Sequence, residues 1–139
     1  NNELGKLIED WLRALPESIN AITAMGNHLT REKRYKEAIQ YLDVSIAQQP
    51  SSFVTLNNLA WSLSETDNPR ALEVAQKAHK LAPDQPSVLD TYGWILFKLK
   101  KYQNSLDVLE KAAVLAPHNE SIIKHQKIVN DAIENLTKG

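Results

Sequence analysis

Residues 56–83, LNNLAWSLSETDNPRALEVAQKAHKLAP, and residues 89–117, LDTYGWILFKLKKYQNSLDVLEKAAVLAP, are two versions of one pattern. Each opens with a stripe at i, i+3, i+4, i+7: Leu56, Leu59, Ala60 and Leu63 in one, Leu89, Tyr92, Gly93 and Leu96 in the other. That spacing places the four residues on one face of a helix. A polar turn follows, then a second stripe: Ala71, Leu72, Ala75 and Ala78, matched by Leu106, Leu109, Ala112 and Ala113. Both copies close on Leu-Ala-Pro. The first copy is one residue shorter, and the deletion falls in the loop Thr66-Asp67-Asn68-Pro69. Pro69 suits the first turn of the next helix, where a missing N–H costs nothing, with Asn68 as its cap.

Working outward, the closing proline belongs to a ladder. Pro16, Pro50, Pro83 and Pro117 are separated by 34, 33 and 34 residues. Twelve residues before a ladder proline stand Ala38, Ala71 and Ser105; five before stand Ser45, Ala78 and Ala112. Small residues at these sites let two helices approach within the usual ~8–10 Å. Gly26 and Gly93 lie 24 residues before Pro50 and Pro117, and Ala60 lies 23 before Pro83. A first unit carries the same stripes, Ile22, Met25, Gly26 and Leu29, then Ala38, Ile39, Leu42 and Ile46. A period near 34 residues marks stacked helical hairpins, and no strand-like alternation competes.

The expected fold is therefore all-α: a stack of antiparallel helix pairs over residues 1–139, with repeats at 19–52, 53–85 and 86–118. Residues 3–15 read as the second helix of an upstream hairpin whose first helix is missing, with Leu4, Leu7, Ile8, Trp11, Leu12 and Leu15 as its apolar face and Trp11 in the core. Residues 119–137 read as a capping helix, with Ile122, Ile123, Val129, Ile133 and Leu136 on one side and a polar outer face, as the open end of an array requires. The whole reads as a C-terminal fragment of a longer protein.

Composition narrows the function. The formal net charge is −1, so the general basic field that binds phosphate backbones is missing and no nucleic-acid partner is expected. No cysteine is present, which removes disulfides, thiol nucleophiles and thiolate metal sites. The four glycines are scattered, so no phosphate-cradling loop is expected. No run approaches the ~18 apolar residues of a membrane span, the N-terminal stretch has no signal-like pattern, and no direct membrane contact is expected of this segment. His118 and His125 are seven apart, about 10.5 Å along a helix, too far to share one metal ion unaided; all four histidines read as solvent-facing or cap-adjacent. Lys98, Lys100 and Lys101 form a short basic run that complements a helix C-terminus. No paired carboxylates or presented serine suggest catalysis. The expectation is a non-enzyme without cofactor or metal.

At this point the chain resembles the tetratricopeptide-repeat (TPR) family: a large apolar residue, Leu-Gly and an aromatic on the first helix, small residues and a terminal proline on the second. Leu29, Leu63 and Leu96 stand where the family has its first-helix aromatic, and Ser105 where it has Ala. The resemblance implies a right-handed superhelical solenoid whose first helices line a concave groove that binds a peptide or protein. Helical phase then nominates the groove residues: Asn27 and Arg31; Asn57, Asn58 and Trp61; Asp90, Trp94, Phe97 and Lys98. Trp61 and Trp94 occupy matched sites, where an indole either contacts a partner or wedges between hairpins. One TPR subclass grips a C-terminal carboxylate with Lys, Asn and Arg; Asn27 and Asn58 match its asparagines, but Thr23, Ser87 and Thr91 stand where its cations should be, so that ligand is not expected. A looser similarity links Leu56–Trp61, Pro69–Pro83 and Leu89–Trp94 to the C-terminal repeats of TPR lipoproteins that accompany exosortase (PEP-CTERM) systems. It implies a bacterial, periplasmic or outer-membrane-anchored scaffold in surface-protein sorting or exopolysaccharide export; a cytoplasmic location is the alternative. A second functional reading is structural self-association, a homodimer through the N-terminal end.

Overall fold

The computed structural model describes residues 2–138. Among them the regular structure is entirely helical: α1 (Asn2–Ala14), α2 (Ile19–Arg31), α3 (Tyr35–Gln48), α4 (Phe53–Glu65), α5 (Ala71–Leu81), α6 (Pro86–Lys98), α7 (Tyr102–Leu115) and α8 (Glu120–Lys138). The chain forms two compact units, residues 1–74 and 75–139. In the first, α2 packs on α3, α3 on α4 and α1 on α2; in the second, α6 packs on α7 and α8 against both.

Each ladder proline is followed two residues later by a helix N-cap. Ser18 accepts from Ala21 N–H at 3.3 Å, Ser52 from Thr55 N–H at 3.4 Å and Asn119 from Ile122 N–H at 3.1 Å. At the fourth such site Gln85 makes no side-chain cap, and Pro86 opens α6 instead. These caps satisfy orphan amides that would otherwise oppose helix initiation. The chain leaves α2, α4 and α6 in one way as well. Lys33, Asp67 and Lys100 have φ of 60°, 54° and 63°. Around Lys33, its own N–H reaches Thr30 O at 3.0 Å and Arg34 N–H reaches Leu29 O at 2.9 Å. Lys100 and Lys101 make the same two bonds to Phe97 and Leu96, at 2.8 and 2.9 Å. This is the Schellman closure, which usually places glycine at the left-handed residue.

The hairpins are set by contact at the glycines. A Cβ on Gly26 would lie 2.6 Å from Leu42 Cδ2, and one on Gly93 would lie 2.7 Å from Leu109 Cγ. Leu42 and Leu109 are both fully buried. The small sites close the same interface: Ala38, Ser45, Ser105 and Ala112 are each 0% exposed. Where serine replaces alanine it finds a partner. Ser105 Oγ donates to Gly93 O at 2.6 Å, and the Ser45 and Thr23 hydroxyls lie 2.5 Å apart. In the second unit Leu89, Ala112 and Ile122 form a buried cluster bordered by Val108, Ala113 and Ala116.

The structure differs from the expectation at three places. Helix α5 starts at Ala71, because Asn68 and Pro69 form a turn first: Asn68 Oδ1 accepts from Arg70 N–H at 3.0 Å and Asn68 O from Ala71 N–H at 3.1 Å. Asn68 and Pro69 both lie ahead of the helix. On α8 the buried stripe is Ile122, His125 and Val129, whereas Ile123, a quarter-turn or more from that stripe, and Leu136, in line with it but in the last turn of the helix, are half-exposed or more. On α1 only Ile8 is buried, and Trp11 is 40% exposed rather than in the core.

Exposed ion pairs decorate this frame. Arg34 forks onto Glu37 with bonds of 2.9 and 2.6 Å, which holds the Glu37 carboxyl below its ordinary range. Arg70 bridges to Asp43 on α3 at 2.8 and 3.2 Å, and that bond raises the guanidinium further.

Two stability outcomes follow from this geometry. Gly93→Ala is expected to lower unfolding free energy by about 1–3 kcal/mol, because the added methyl meets the branched end of a fully buried leucine; Gly93→Leu is expected to cost more. Lys100→Gly is expected to raise it by about 0.5–1 kcal/mol, since a left-handed backbone strains a residue bearing Cβ and the gain exceeds glycine's added freedom when unfolded. Urea denaturation followed by circular dichroism reads both.

Candidate peptide-binding faces

In the first unit the nominated residues lie on α2 and α4, which run side by side. Asn58 Nδ2 donates to Asn27 Oδ1 at 2.8 Å, and the Thr30 and Ser62 hydroxyls lie 3.3 Å apart further along. Thus the structure joins Asn27 and Asn58 directly. Trp61 sits one helical turn beyond Asn57 on α4, and Asn27, Asn57, Asn58 and Trp61 are all half-buried. Arg31 is exposed at the end of α2. Asn27 and Arg31 also border a shallow cleft of about 380 Å³ whose other wall is Leu4, Leu7, Ile8 and Trp11 of α1. Each amide has donor and acceptor capacity beyond the bond it makes, so this face combines hydrogen-bonding amides, a flat indole and a guanidinium.

In the second unit Asp90 needs correction as a contact residue. It is only 8% exposed and faces α8. Ser121 Oγ donates to Asp90 Oδ2 at 2.5 Å, and His125 Nδ1 lies 2.6 Å from Asp90 Oδ1. The His125 ring, itself buried, stacks on Trp94 with centroids 4.4 Å apart at 23°. Helical phase alone leaves this side of α6 open to a partner; α8 occupies it. His125 is therefore not solvent-facing, and neither is His28, which is 6% exposed and covers Gly5 closely enough that a Cβ there would lie 2.8 Å from its Nε2. Phe97 lies 5.1 Å from Trp94 and Tyr102 lies 5.5 Å from Phe97, so rings continue from His125 to the start of α7. Trp94 and Phe97 are half-buried and Lys98 is exposed.

Ser121, His125 and Tyr102 were missed by the sequence reading, although a signal for two of them exists. Ser121 lies 31 residues after Asp90, the same offset that joins Asn58 to Asn27. The cap at Asn119 sits two residues past a ladder proline, as Ser18 and Ser52 do. Both mark α8 as a helix that lies beside α6 as α4 lies beside α2. The cluster is a fastening and not a nucleophile arrangement: the serine hydroxyl is bonded to the carboxylate, whereas an activated serine must be bonded to the histidine. No group of three His, Cys, Asp or Glu side chains converges on a metal-sized site among the described residues, and no helix there is long and apolar enough to cross a membrane.

Removing His125 leaves the buried Asp90 carboxylate with one of these two partners and strips a ring from Trp94. His125→Ala is expected to cost about 2–3 kcal/mol, the range for orphaning a buried charged acceptor. His118→Ala, at an exposed position, is expected to stay within about 0.5 kcal/mol. Parallel urea titrations compare the two.

No protein-family model matches the chain. It is 32% identical over 117 residues to a TPR repeat-containing protein of Pseudomonas aeruginosa, covering 81% of this chain and 20% of that protein. It is 28% identical over 104 residues to small glutamine-rich tetratricopeptide repeat-containing protein 2 of Mycosarcoma maydis, covering 74% of this chain and 30% of that one. The chain thus spans less than a third of either relative. Among solved structures it superposes on the Sgt2 TPR domain from Aspergillus fumigatus with a TM-score of 0.78 at 19% identity, covering 87% of this chain and 82% of that domain. It superposes on the first TPR of Spaghetti (RPAP3), solved bound to the HSP90 peptide SRMEEVD, with a TM-score of 0.75 at 19% identity, covering 84% and 93%.

Proposed function

We propose that this chain, which belongs to the tetratricopeptide-repeat family, is a non-catalytic scaffold that binds an extended peptide or a protein segment along the amide- and indole-bearing face of α2 and α4. One observation carries this reading: the Asn27–Asn58 pair, bonded across two adjacent helices, has Trp61 a turn from Asn57 on one helix and Arg31 a turn from Asn27 on the other. Paired amides suit the alternating donors and acceptors of a peptide backbone. An indole supplies flat contact area at low entropic cost, and Trp and Arg dominate binding hot spots. The RPAP3 domain's HSP90 peptide shows that a related fold holds a peptide. For this chain a terminal carboxylate anchored by several cations is not the favoured ligand, because Thr23 and Thr91 stand at sites where that mode needs positive charge, and Thr91 is buried.

The narrower role, a lipid-anchored scaffold in bacterial surface-protein sorting or exopolysaccharide export, rests on the phrases at Leu56–Trp61, Pro69–Pro83 and Leu89–Trp94; fractionation of the full-length gene product tests it. Self-association is a second role, favoured by the apolar stripe that α1 exposes.

Peptides selected from a random library on the immobilised chain test the main reading. Trp61→Ala and Asn58→Ala are each expected to weaken a selected peptide about tenfold or more, as truncated hot spots do, with helical content unchanged. Equal affinity in both variants would overturn the assignment of this face.

A further inference from the structure

We propose that α8 is a displaceable cover. It lies reversibly over the side of α6 that bears Asp90 and Trp94, and when it lifts, that side accepts a helix of another protein built on α8's own pattern: two apolar residues seven apart, with a hydrogen-bond donor three residues after the first. This goes beyond the peptide face of α2 and α4, which belongs to the other compact unit.

Three observations carry the inference. The first is position. Asp90 and Trp94 stand in the phrase LDTYGW where Asn57 and Trp61 stand in LNNLAW. Asn57 and Trp61 are half-buried, whereas Asp90 is 8% exposed beneath α8. The second is how lightly α8 is held. Of its 19 residues it buries Ile122, His125 and Val129. Helix α4, which lies beside α2 as α8 lies beside α6, buries seven of 13. Apolar stabilisation follows the area removed from water, so a helix holding on by two aliphatic side chains and a ring is released at small cost. The third is the fastening itself. A carboxylate sits in the contact, bonded to Ser121 Oγ and 2.6 Å from His125 Nδ1. Desolvating such a pair on docking offsets much of its attraction. Lifting α8 returns the carboxylate, the hydroxyl and the imidazole to water, which replaces the bonds they lose. The contact therefore sets the register of α8 more than it locks α8 down.

The same groups state what an incoming helix must bring. Ile122 and Val129, each 0% exposed, supply the apolar contact. His125 supplies a ring nitrogen to Asp90 and a flat face to Trp94, with centroids 4.4 Å apart. A helix lacking the donor would bury the Asp90 carboxylate without that partner, and it is rejected for that reason.

A fluorescently labelled synthetic peptide of residues 119–138, added to the whole chain, is the probe, read by anisotropy. Binding to the unchanged chain is expected to be weak, because the tethered α8 competes at high effective concentration. It is expected to be at least ~10-fold tighter on the His125→Ala chain, whose own α8 is loosened, and at least ~10-fold weaker when the peptide itself carries His125→Ala. Ser121→Ala, at an exposed position, is expected to act in the same two directions and serves if His125→Ala fails to fold. Amide hydrogen exchange of the unchanged chain is expected to show α8 opening while α6 and α7 stay protected. A peptide that binds no folded variant overturns the proposal. So do affinities indifferent to both substitutions, α8 amides that exchange only when α6 and α7 unfold as well, or loss of the peptide on Trp61→Ala, which would move it to the face on α2 and α4.

Discussion

Two glycines, Gly26 and Gly93, hold the distance between helices on which each compact unit depends. At each, the neighbouring helix presents a fully buried leucine where a methyl group would otherwise stand. Once that distance is set, the rest of the grammar is constrained. The sites that face across the hairpin must be small, and a hydroxyl there must find a partner, as Ser105 does on the Gly93 carbonyl. The exit from the first helix must turn within two residues, which forces Lys33, Asp67 and Lys100 into left-handed backbone. The entry to the next helix is then capped two residues past each ladder proline, or opened by proline itself.

Function comes from what this frame leaves over. Residues that neither close a hairpin nor stack on the next helix are the ones able to meet a partner. In the first unit that remainder is an amide pair, an indole and a guanidinium. In the second it is smaller, because α8 takes up Asp90 and one face of Trp94. Whether a side chain on a first helix is a contact or a fastener is thus decided by the presence of a neighbouring helix, and less by its own chemistry.

The same distinction explains what was legible beforehand. Proline spacing, small-residue sites and apolar stripes are local and repeat three times, so helix number, helix order and the glycine contacts could be read directly from the chain. Asn27, Asn57, Asn58 and Trp61 follow from helical phase, and in the structure they are half-buried on α2 and α4. Asp90 was misjudged because its partners, Ser121 and His125, lie 31 and 35 residues away on a helix read only as polar-faced. Trp11 differs for the converse reason: it fits an apolar stripe, yet among the described residues no helix buries it, and it stays 40% exposed beside α2. Periodicity says which side of a helix is apolar, and only tertiary neighbours say which apolar side is covered.

The most direct measurement of the central constraint is a double-mutant cycle at the second hairpin, combining Gly93→Ala with Leu109→Ala and reading each by urea denaturation. If the glycine is there to admit that leucine, trimming the leucine removes the clash. The added methyl is then expected to be neutral or stabilising in the Leu109→Ala background, with a coupling of about 1 kcal/mol or more. Penalties that simply add would contradict the account, because the cost of a side chain at Gly93 would then have nothing to do with how closely the two helices meet.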